Sequence, residues 1–186
     1  STPLAIVNPR SGGGRTGRTL DELRRVMETA LGKVDFSITE RPRHACEIAE
    51  RAAKDGRETV IAVGGDGSIH EVVNGLMRAR EAGAASTKLG IVGQGTGGDF
   101  RKTLGLEHRL DRYLSAIAGG IERRIDVGSF TYLSNDGDPK AKSYFVNILS
   151  AGMGGLVDRY VHDASGVLGG QAAYFIASAR GLLESE

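Results

Sequence analysis

The chain has 186 residues, of which 40% are hydrophobic and 25% charged, and its formal net charge is +1. This composition is typical of a globular protein that can bury a core, and the near-zero charge argues against nucleic acid as a partner. No stretch approaches the roughly 18 apolar residues of a membrane span. The single cysteine, Cys46, is expected to be a buried thiol in a reducing compartment. These features predict a cytoplasmic protein whose membrane contact, if any, is peripheral.

Strand and helix patterns alternate over the first 120 residues. Short apolar runs predict buried strands, and apolar residues spaced by three and four predict amphipathic helices. The predicted strands lie at 4–7, 34–39, 60–63 and 89–92, and the predicted helices at 20–31, 45–53, from 68 onward, after residue 98 and at 110–118. This alternation predicts an α/β fold with a mainly parallel sheet that is covered by helices on both faces.

The pattern changes near residue 121. The elements predicted beyond it are strands at 125–132 and 144–149, a turn at 134–139 that joins them as a hairpin, and a helix at 168–183. Two strands and one helix are too few for a stable domain. We therefore interpret residues 1–120 as one domain and residues 121–186 as the incomplete beginning of a second.

Three predicted strands run into glycine-rich loops. The first loop (residues 8–14), the second loop (residues 64–67) and the third loop (residues 93–98) follow Val7, Val63 and Val92. Ligands bind beyond the carboxyl ends of parallel strands, and glycine lets backbone amides approach an anion closely. Three such loops at one sheet edge predict a ligand that carries phosphate.

Asp66 lies between Gly65 and Gly67 in the second loop. A carboxylate beside a phosphate is unfavourable unless a cation or a transferable proton lies between them. Asp66 would then bind magnesium, directly or through water, or accept a proton from an attacking hydroxyl. The alternative is an aspartate that only caps a turn, and the spacing does not decide between these roles.

Two common nucleotide motifs do not explain these loops. No G-x-x-x-x-G-K-[ST] segment occurs, so the chain is not a P-loop protein. Residues 93–98 satisfy G-x-G-x-x-G, but they follow the fourth predicted strand, and Asp111 is an unconvincing ribose-binding acid. His44, His108 and His162 show no metal-binding spacing.

Three segments, taken in order, resemble the signature of the diacylglycerol kinase catalytic domain, a family of bacterial lipid kinases with more distant sphingosine and ceramide kinases. They are residues 8–12 (NPRSG), 64–75 (GGDGSIHEVVNG) and 95–100 (GTGGDF), and residues 125–128 (IDVG) resemble the entry into the second domain. The resemblance covers essentially the whole chain. It implies an α/β nucleotide domain followed by a β-sandwich domain, with ATP and a lipid hydroxyl meeting between them.

The resemblance also implies a site and its cofactors, ATP and Mg²⁺. In the sphingosine-kinase branch the aspartate that matches Asp66 is viewed as the catalytic base. In bacterial members, acidic residues of a later Asp-Gly-Glu segment share that role and help to hold magnesium, so the metal ligands stay unassigned. The nucleotide site would be lined by Asn8, Pro9, Arg10, Ser11, Gly12, Thr39, Gly65, Asp66, Gly67, Ser68, Ile69, His70, Glu71, Gly95 and Thr96.

The chain departs from the family pattern in the third loop, which usually reads Pro-x-Gly-Thr-x-Asn-Asp. Gly93 replaces the proline and Gly98 the asparagine, while Asp99 remains. The Asp-Gly-Glu segment is expected beyond Glu186. The chain is therefore expected to be a fragment or a natural short form without appreciable kinase activity, and its unfinished sheet favours pairing into a homodimer.

The function predicted from this resemblance is transfer of the ATP γ-phosphoryl group to a lipid hydroxyl, such as that of diacylglycerol, at a membrane surface. Arg10 and Arg15 are the nearest candidates for an arginine on the transferring phosphate. One alternative is a NAD kinase, which shares the Gly-Gly-Asp-Gly segment but not the full third loop. The other is a nucleotide-binding regulatory module without catalysis.

Three local expectations concern side chains in and after the second and third loops. Ser68 and Glu71 have the spacing of a capping box at the start of a helix. Asn74 and Gly75 are expected to serve helix termination rather than ligand contact. Asp99 is expected to cap its own helix rather than to bind magnesium.

Overall fold

The structure is a computed structural model that describes residues 1–95, 97–134 and 137–149. Its strands are β1 (Leu4–Val7), β2 (Asp35–Ile38), β3 (Thr59–Gly64), β4 (Lys88–Gly93), β5 (Gly128–Tyr132) and β6 (Ala141–Phe145). Its helices are α1 (Arg15–Arg18), α2 (Leu20–Leu31), α3 (His44–Lys54), α4 (Asp66–Glu81), α5 (Asp99–Thr103) and α6 (Leu110–Ala118). In the described part of the chain, no helix is long and apolar enough to cross a membrane.

Strands β1 to β4 form one parallel sheet in the order β2-β1-β3-β4. Helix α3 packs against α4, and α2 packs against α6. Consecutive residues of β1 and β3 are fully buried, and because their side chains alternate between the two faces, both faces of the sheet are covered. The predicted α/β fold, with helices flanking a parallel sheet, is confirmed.

The hairpin of β5 and β6 is antiparallel, as expected, but its strands differ from the predicted ranges. Residues 121–127 carry no regular structure, and Ile121 is 90% exposed, so the strand predicted from residue 125 begins only at Gly128. Strand β6 begins at Ala141, three residues before the predicted start at 144, and Ala141 pairs with Tyr132 at the end of β5. Asn135 and Asp136 of the predicted turn, and the predicted helix at 168–183, lie outside the described residues.

Helix α4 continues to Glu81, so the expectation that Asn74 and Gly75 end it is wrong. A Cβ atom on Gly75 would lie 2.2 Å from the carbonyl oxygen of Cys46 and 2.9 Å from the Cβ of Ala49. Gly75 therefore permits the close approach of α3 and α4. Cys46 is buried, as predicted, and this burial raises the pKa of its thiol.

Asn74 instead fastens the hairpin to α4. Its Nδ2 donates to the Tyr144 carbonyl at 3.0 Å, and its Oδ1 accepts from the Tyr144 amide at 2.9 Å. One side-chain amide thus satisfies both backbone groups of Tyr144, in the place of a neighbouring strand. An ion pair between Lys142 and Glu81 adds a second tie. Residues Ser1–Asn147 form one compact unit, and the domain boundary predicted at residue 120 stays a prediction.

Candidate nucleotide site

The ends of the four parallel strands are joined into one continuous edge. Backbone bonds extend the sheet by one residue into the segments that follow β1, β2 and β4. The Asn8 amide donates to the Val63 carbonyl at 3.0 Å, and the Thr39 amide to the Val7 carbonyl at 2.9 Å. The Gln94 amide donates to the Gly64 carbonyl at 2.8 Å. The three glycine loops and the segment after β2 therefore emerge side by side, as the strand order predicts.

Two glycines let the loops touch through their backbones. Gly12 has a φ of +61°, and a Cβ atom there would lie 2.8 Å from the carbonyl oxygen of Gln94. A Cβ atom on Gly95 would lie 2.8 Å from the Cα of Gly65. Any side chain at these positions would push the third loop away from the first and second, so glycine is needed for the three loops to meet.

Side chains of the first and second loops converge on Ser68. Asn8 Nδ2 donates to Ser68 Oγ at 3.1 Å, while Asn8 Oδ1 accepts from the Arg10 amide at 3.0 Å. A Cβ atom on Gly64 would lie 2.3 Å from Ser68 Oγ and 3.0 Å from Ser11 Oγ. The sequence-predicted residues Asn8, Ser11 and Ser68 are thus brought together around Gly64, and both hydroxyl-bearing residues are buried.

The predicted capping box at Ser68 and Glu71 is wrong. Helix α4 begins at Asp66, two residues earlier, and its N-cap residue, Gly65, makes no side-chain cap. Glu71 reaches across to the start of α3, where its carboxylate accepts from the amides of Arg43 at 2.9 Å and Ala45 at 3.2 Å. Because both side chains bond to distant segments, neither is left for the helix that contains them.

Asp66 links the second loop to the third. Its Oδ2 accepts from the amides of Gly98 at 2.8 Å and Asp99 at 3.3 Å, and its Oδ1 accepts from the Phe100 amide at 3.4 Å. These amides form the first turn of α5, so Asp66 caps that helix. The expectation that Asp99 caps its own helix is wrong, because the Asp99 carboxylate pairs with Lys102 at 2.8 Å instead.

Capping leaves part of the Asp66 carboxylate available. The residue is half-buried, and its Oδ1 receives only the 3.4 Å bond. A carboxylate has about four lone-pair positions, so Oδ1 can still bind a cation or accept a proton. Magnesium is commonly held by one or two carboxylates together with phosphates and waters. Within residues 1–95, 97–134 and 137–149, no group of three or more acidic, histidine or cysteine side chains could hold a metal.

The other predicted site residues divide into three groups. Thr39 and Pro9 are half-buried, and Arg10 and Gly67 are exposed at the same edge. Ile69 is only 3% exposed and belongs to the hydrophobic core. Thr96 lies outside the described residues.

His70, also predicted for the site, stays exposed at the start of α4. Desolvation by its surroundings lowers the pKa of the imidazole, and the Glu71 carboxylate opposes this more weakly. The ring is therefore neutral at pH 7 and supplies no charge for a phosphate.

Both departures from the family's third loop are filled by side chains from later in the chain. A Cβ atom on Gly93 would lie 2.5 Å from the hydroxyl of Tyr113, a buried residue whose hydroxyl is 3.0 Å from His108 Nδ1. A Cβ atom on Gly98 would lie 2.9 Å from Arg101 Nε. The sequence signal was the glycine itself, but only the structure identifies Tyr113 and Arg101 as the residues that occupy the space.

Comparison with known proteins agrees with this geometry. The model of the diacylglycerol kinase catalytic domain matches residues 2–130. A diacylglycerol kinase of Staphylococcus haemolyticus is 32% identical over 147 residues, which are 79% of this chain and 40% of that protein. A diacylglycerol kinase of Staphylococcus aureus is 30% identical and matches 79% of this chain and 42% of that protein.

The fold comparison leads to the same family. A crystal structure of a diacylglycerol kinase from Bacillus anthracis has a TM-score of 0.59 at 25% identity, covering 69% of this chain and 46% of that one. The chain thus spans less than half the length of each of these relatives. The family match contains the four-stranded sheet and all three glycine loops, which carried the resemblance in the sequence. The chain belongs to the diacylglycerol kinase catalytic domain family.

Proposed function

We propose that this chain is the nucleotide-binding part of a lipid kinase that transfers the γ-phosphoryl group of ATP to a lipid hydroxyl, such as that of diacylglycerol. The observation that carries the proposal is the position of Asp66. Its carboxylate lies where the second and third loops meet, and among the described residues its Oδ1 accepts only one bond, of 3.4 Å. Family membership supports kinase chemistry, while the nucleotide, the metal and the lipid are part of the proposal.

The phosphates would bind at the start of α4. This helix has 16 residues, and no side chain caps its N-terminus. The first amides of a helix have no partner within it, and the helix dipole places partial positive charge there. The glycines at positions 65 and 67 leave room for phosphate oxygens to approach these amides.

Nucleotide binding would also use the two neighbouring segments of the edge. Residues Asn8–Gly12 of the first loop lie beside the start of α4, because Asn8 bonds to Ser68. Thr39 emerges next to the first loop, since its amide bonds to the Val7 carbonyl. Together with Gly95 and Thr96 of the third loop, these residues form the proposed nucleotide site.

Asp66 would act on the acceptor. The short bond from the Gly98 amide fixes Oδ2, which leaves Oδ1 to accept the proton of the attacking lipid hydroxyl. In the alternative role Oδ1 would instead hold a bound magnesium ion, which would neutralise charge on the phosphates. The protein contributes chiefly by positioning and by fixed dipoles.

Nucleotide binding can be measured on the chain itself. Magnesium-ATP at about 100 times its dissociation constant is expected to stabilise the fold by about 2.7 kcal/mol, seen as a rise in melting temperature. Gly95→Ala should remove most of this rise, because the new Cβ would meet the second loop at 2.8 Å. Gly56→Ala controls for loss of stability alone: its φ of +79° strains an alanine although a Cβ there meets nothing within 4 Å, so it should lower the melting temperature but keep the rise with nucleotide. A melting temperature that does not change at millimolar magnesium-ATP would contradict the proposed site.

A further inference from the structure

The side chain of Arg101 folds back over the third loop. Gly98 has a φ of +64°, the left-handed conformation that glycine adopts without strain. A Cβ atom on Gly98 would lie 2.9 Å from Arg101 Nε and 3.4 Å from Arg101 Nη2. The guanidinium therefore fills the space that a side chain at position 98 would need.

The guanidinium is held by the backbone and not by an acid. Arg101 Nη1 donates to the Leu106 carbonyl at 2.9 Å, beyond the end of α5. Arg101 Nε is buried and has no hydrogen-bond partner among the described residues. The ion pairs found in that part of the chain do not include Arg101. Nε and Nη2 donate from the same edge of the planar guanidinium. This donor edge, on which the buried Nε has no partner among the described residues, faces Gly98.

Gly98 is also the residue that bonds to Asp66 most closely. Its amide donates to Asp66 Oδ2 at 2.8 Å, the shortest of the three bonds that this carboxylate accepts. Without a side chain, Gly98 has more backbone freedom than any other residue type. A group that restricts Gly98 therefore also restricts the direction in which the Asp66 carboxylate is held.

We propose that Arg101 is a positioning residue for Asp66, because its guanidinium keeps Gly98 in the left-handed conformation that aims the Gly98 amide at the carboxylate. An effect of Arg101 on phosphoryl transfer rests on the proposed function, whereas an effect of Arg101 on the conformation of the third loop does not. The charges of Arg101 and Asp66 also act on one group, the Tyr113 hydroxyl. Burial is the main cause that raises the pKa of Tyr113, the Arg101 charge lowers it and the Asp66 charge raises it.

Hydrogen exchange of individual amides, measured by NMR on the chain, tests the proposal directly. Arg101→Met keeps the length and the apolar stem but removes the donor edge. The hydrogen bond from the Gly98 amide to Asp66 Oδ2 should then weaken. Weakening of one charge-assisted hydrogen bond should make the Gly98 amide exchange about tenfold faster or more. Lys102→Met is the matched control, since the Lys102 side chain is exposed and, within the described residues, bonds to Asp99 alone. Exchange of the Gly98 amide within about twofold of the parent in Arg101→Met would overturn the proposal.

A paired substitution separates positioning from general stability. Gly98→Asn alone should clash with the guanidinium, although asparagine tolerates the left-handed conformation better than most residues. Combining it with Arg101→Ala removes the clash, so protection of the residue 98 amide should rise above that of Gly98→Asn alone while staying below the parent, because the guanidinium is missing. Failure to recover this protection in a folded double variant would count against Arg101 as the cause.

Nucleotide affinity gives the second measurement. Magnesium-ADP should bind about fivefold or more weakly to Arg101→Met than to Lys102→Met, measured by titration calorimetry, because the loop beside the phosphates is looser. Equal affinities of the two variants would overturn the link between Arg101 and the nucleotide site. If the parent chain itself does not bind magnesium-ADP, the proposed function fails, and the exchange of the Gly98 amide still decides whether Arg101 positions the loop.

Discussion

Asp66 and Glu71 lie five residues apart on α4, and each caps a helix other than its own. Glu71 uses both oxygens, one for the Arg43 amide at 2.9 Å and one for the Ala45 amide at 3.2 Å. Asp66 concentrates its bonds on Oδ2 and leaves Oδ1 with one contact of 3.4 Å. The two carboxylates are alike in chemistry and in capping, but the Asp66 Oδ1 is held by the longest of these bonds and therefore changes partner for a ligand or a proton at the least cost.

The backbones that the two carboxylates hold also differ. Glu71 bonds to Arg43, which has a φ of 65° and, in the described part of the chain, is the sole residue other than glycine with a positive φ. Such a conformation costs a side-chain-bearing residue about 1 to 2 kcal/mol. Asp66 bonds to Gly98, which adopts a similar conformation without that cost. The Glu71 cap therefore offsets local strain, whereas the Asp66 cap stabilises an unstrained turn and can also serve chemistry.

The largest expected difference between the two acids is in phosphoryl transfer. In a form of the protein that phosphorylates lipid, Asp66→Asn should lower kcat by about 10² to 10⁴, the range for loss of a general base, while the fold stays intact. The amide keeps one acceptor for the Gly98 amide but loses the charge and the basicity. Turnover should be measured at saturating ATP and lipid.

Glu71→Gln is the control for this change, because it makes the same chemical substitution at the other cap. Its kcat should stay within about threefold of the parent, since Glu71 holds the start of α3 and not the third loop. Near-normal turnover of Asp66→Asn would mean that Asp66 is neither the base nor an essential magnesium ligand. Equal losses in both variants would mean that capping, and not the open oxygen, explains the effect.

The second prediction concerns stability, for which Glu71 and not Asp66 is the acid of interest. Glu71→Ala should lower the free energy of unfolding by about 1 to 2 kcal/mol, because it removes two charge-assisted bonds and releases a strained residue from its cap. Urea unfolding followed by circular dichroism measures this loss. Glu47→Ala is the matched control, since Glu47 is exposed and pairs only with Arg41 on the surface. Equal midpoints for the two variants would contradict a capping role for Glu71.

The sheet could be predicted from sequence because its signals are local. Strand β1 is a continuous apolar run, and so is β3 between Thr59 and Gly64; such runs are typical of buried parallel strands. The three glycine loops follow from the same local pattern, and the family signature then identified Asp66 within them. For these features the neighbouring residues along the chain carry the information.

The partners of the polar side chains could not be predicted in the same way. Asn8 bonds to Ser68 across 60 residues, and Asn74 bonds to Tyr144 across 70. The capping-box spacing of Ser68 and Glu71 was a local pattern that these distant bonds override. Gly98 stands where the family's third loop has asparagine, so the sequence showed that a side chain is missing there. Nothing in the local sequence indicated that Arg101 would occupy the space.

The smallest expected effect concerns His70, which lies on α4 between the two acids. Desolvation lowers the pKa of this imidazole from its ordinary value of 6.5, and the Glu71 carboxylate raises it by less. Between the folded pKa and 6.5 the unfolded chain therefore binds more protons than the folded chain. The contribution of His70 to stability is complete above pH 6.5 and is lost as the pH falls toward the folded pKa.

The contact of His70 with Asn74 gives this loss a structural reason. Asn74 Nδ2 lies 3.4 Å from the ring Nε2 and already donates its two hydrogens to the carbonyls of His70 and Tyr144, so a protonated ring would place a second donor against it. The effect should be small because His70 stays exposed and water screens its charge. The urea midpoint of the parent should thus fall slightly more than that of His70→Gln between about pH 7.5 and pH 5. His44→Gln serves as the control for loss of a second, half-buried histidine. Parallel curves for the parent and His70→Gln would show that protonation of His70 is not coupled to folding.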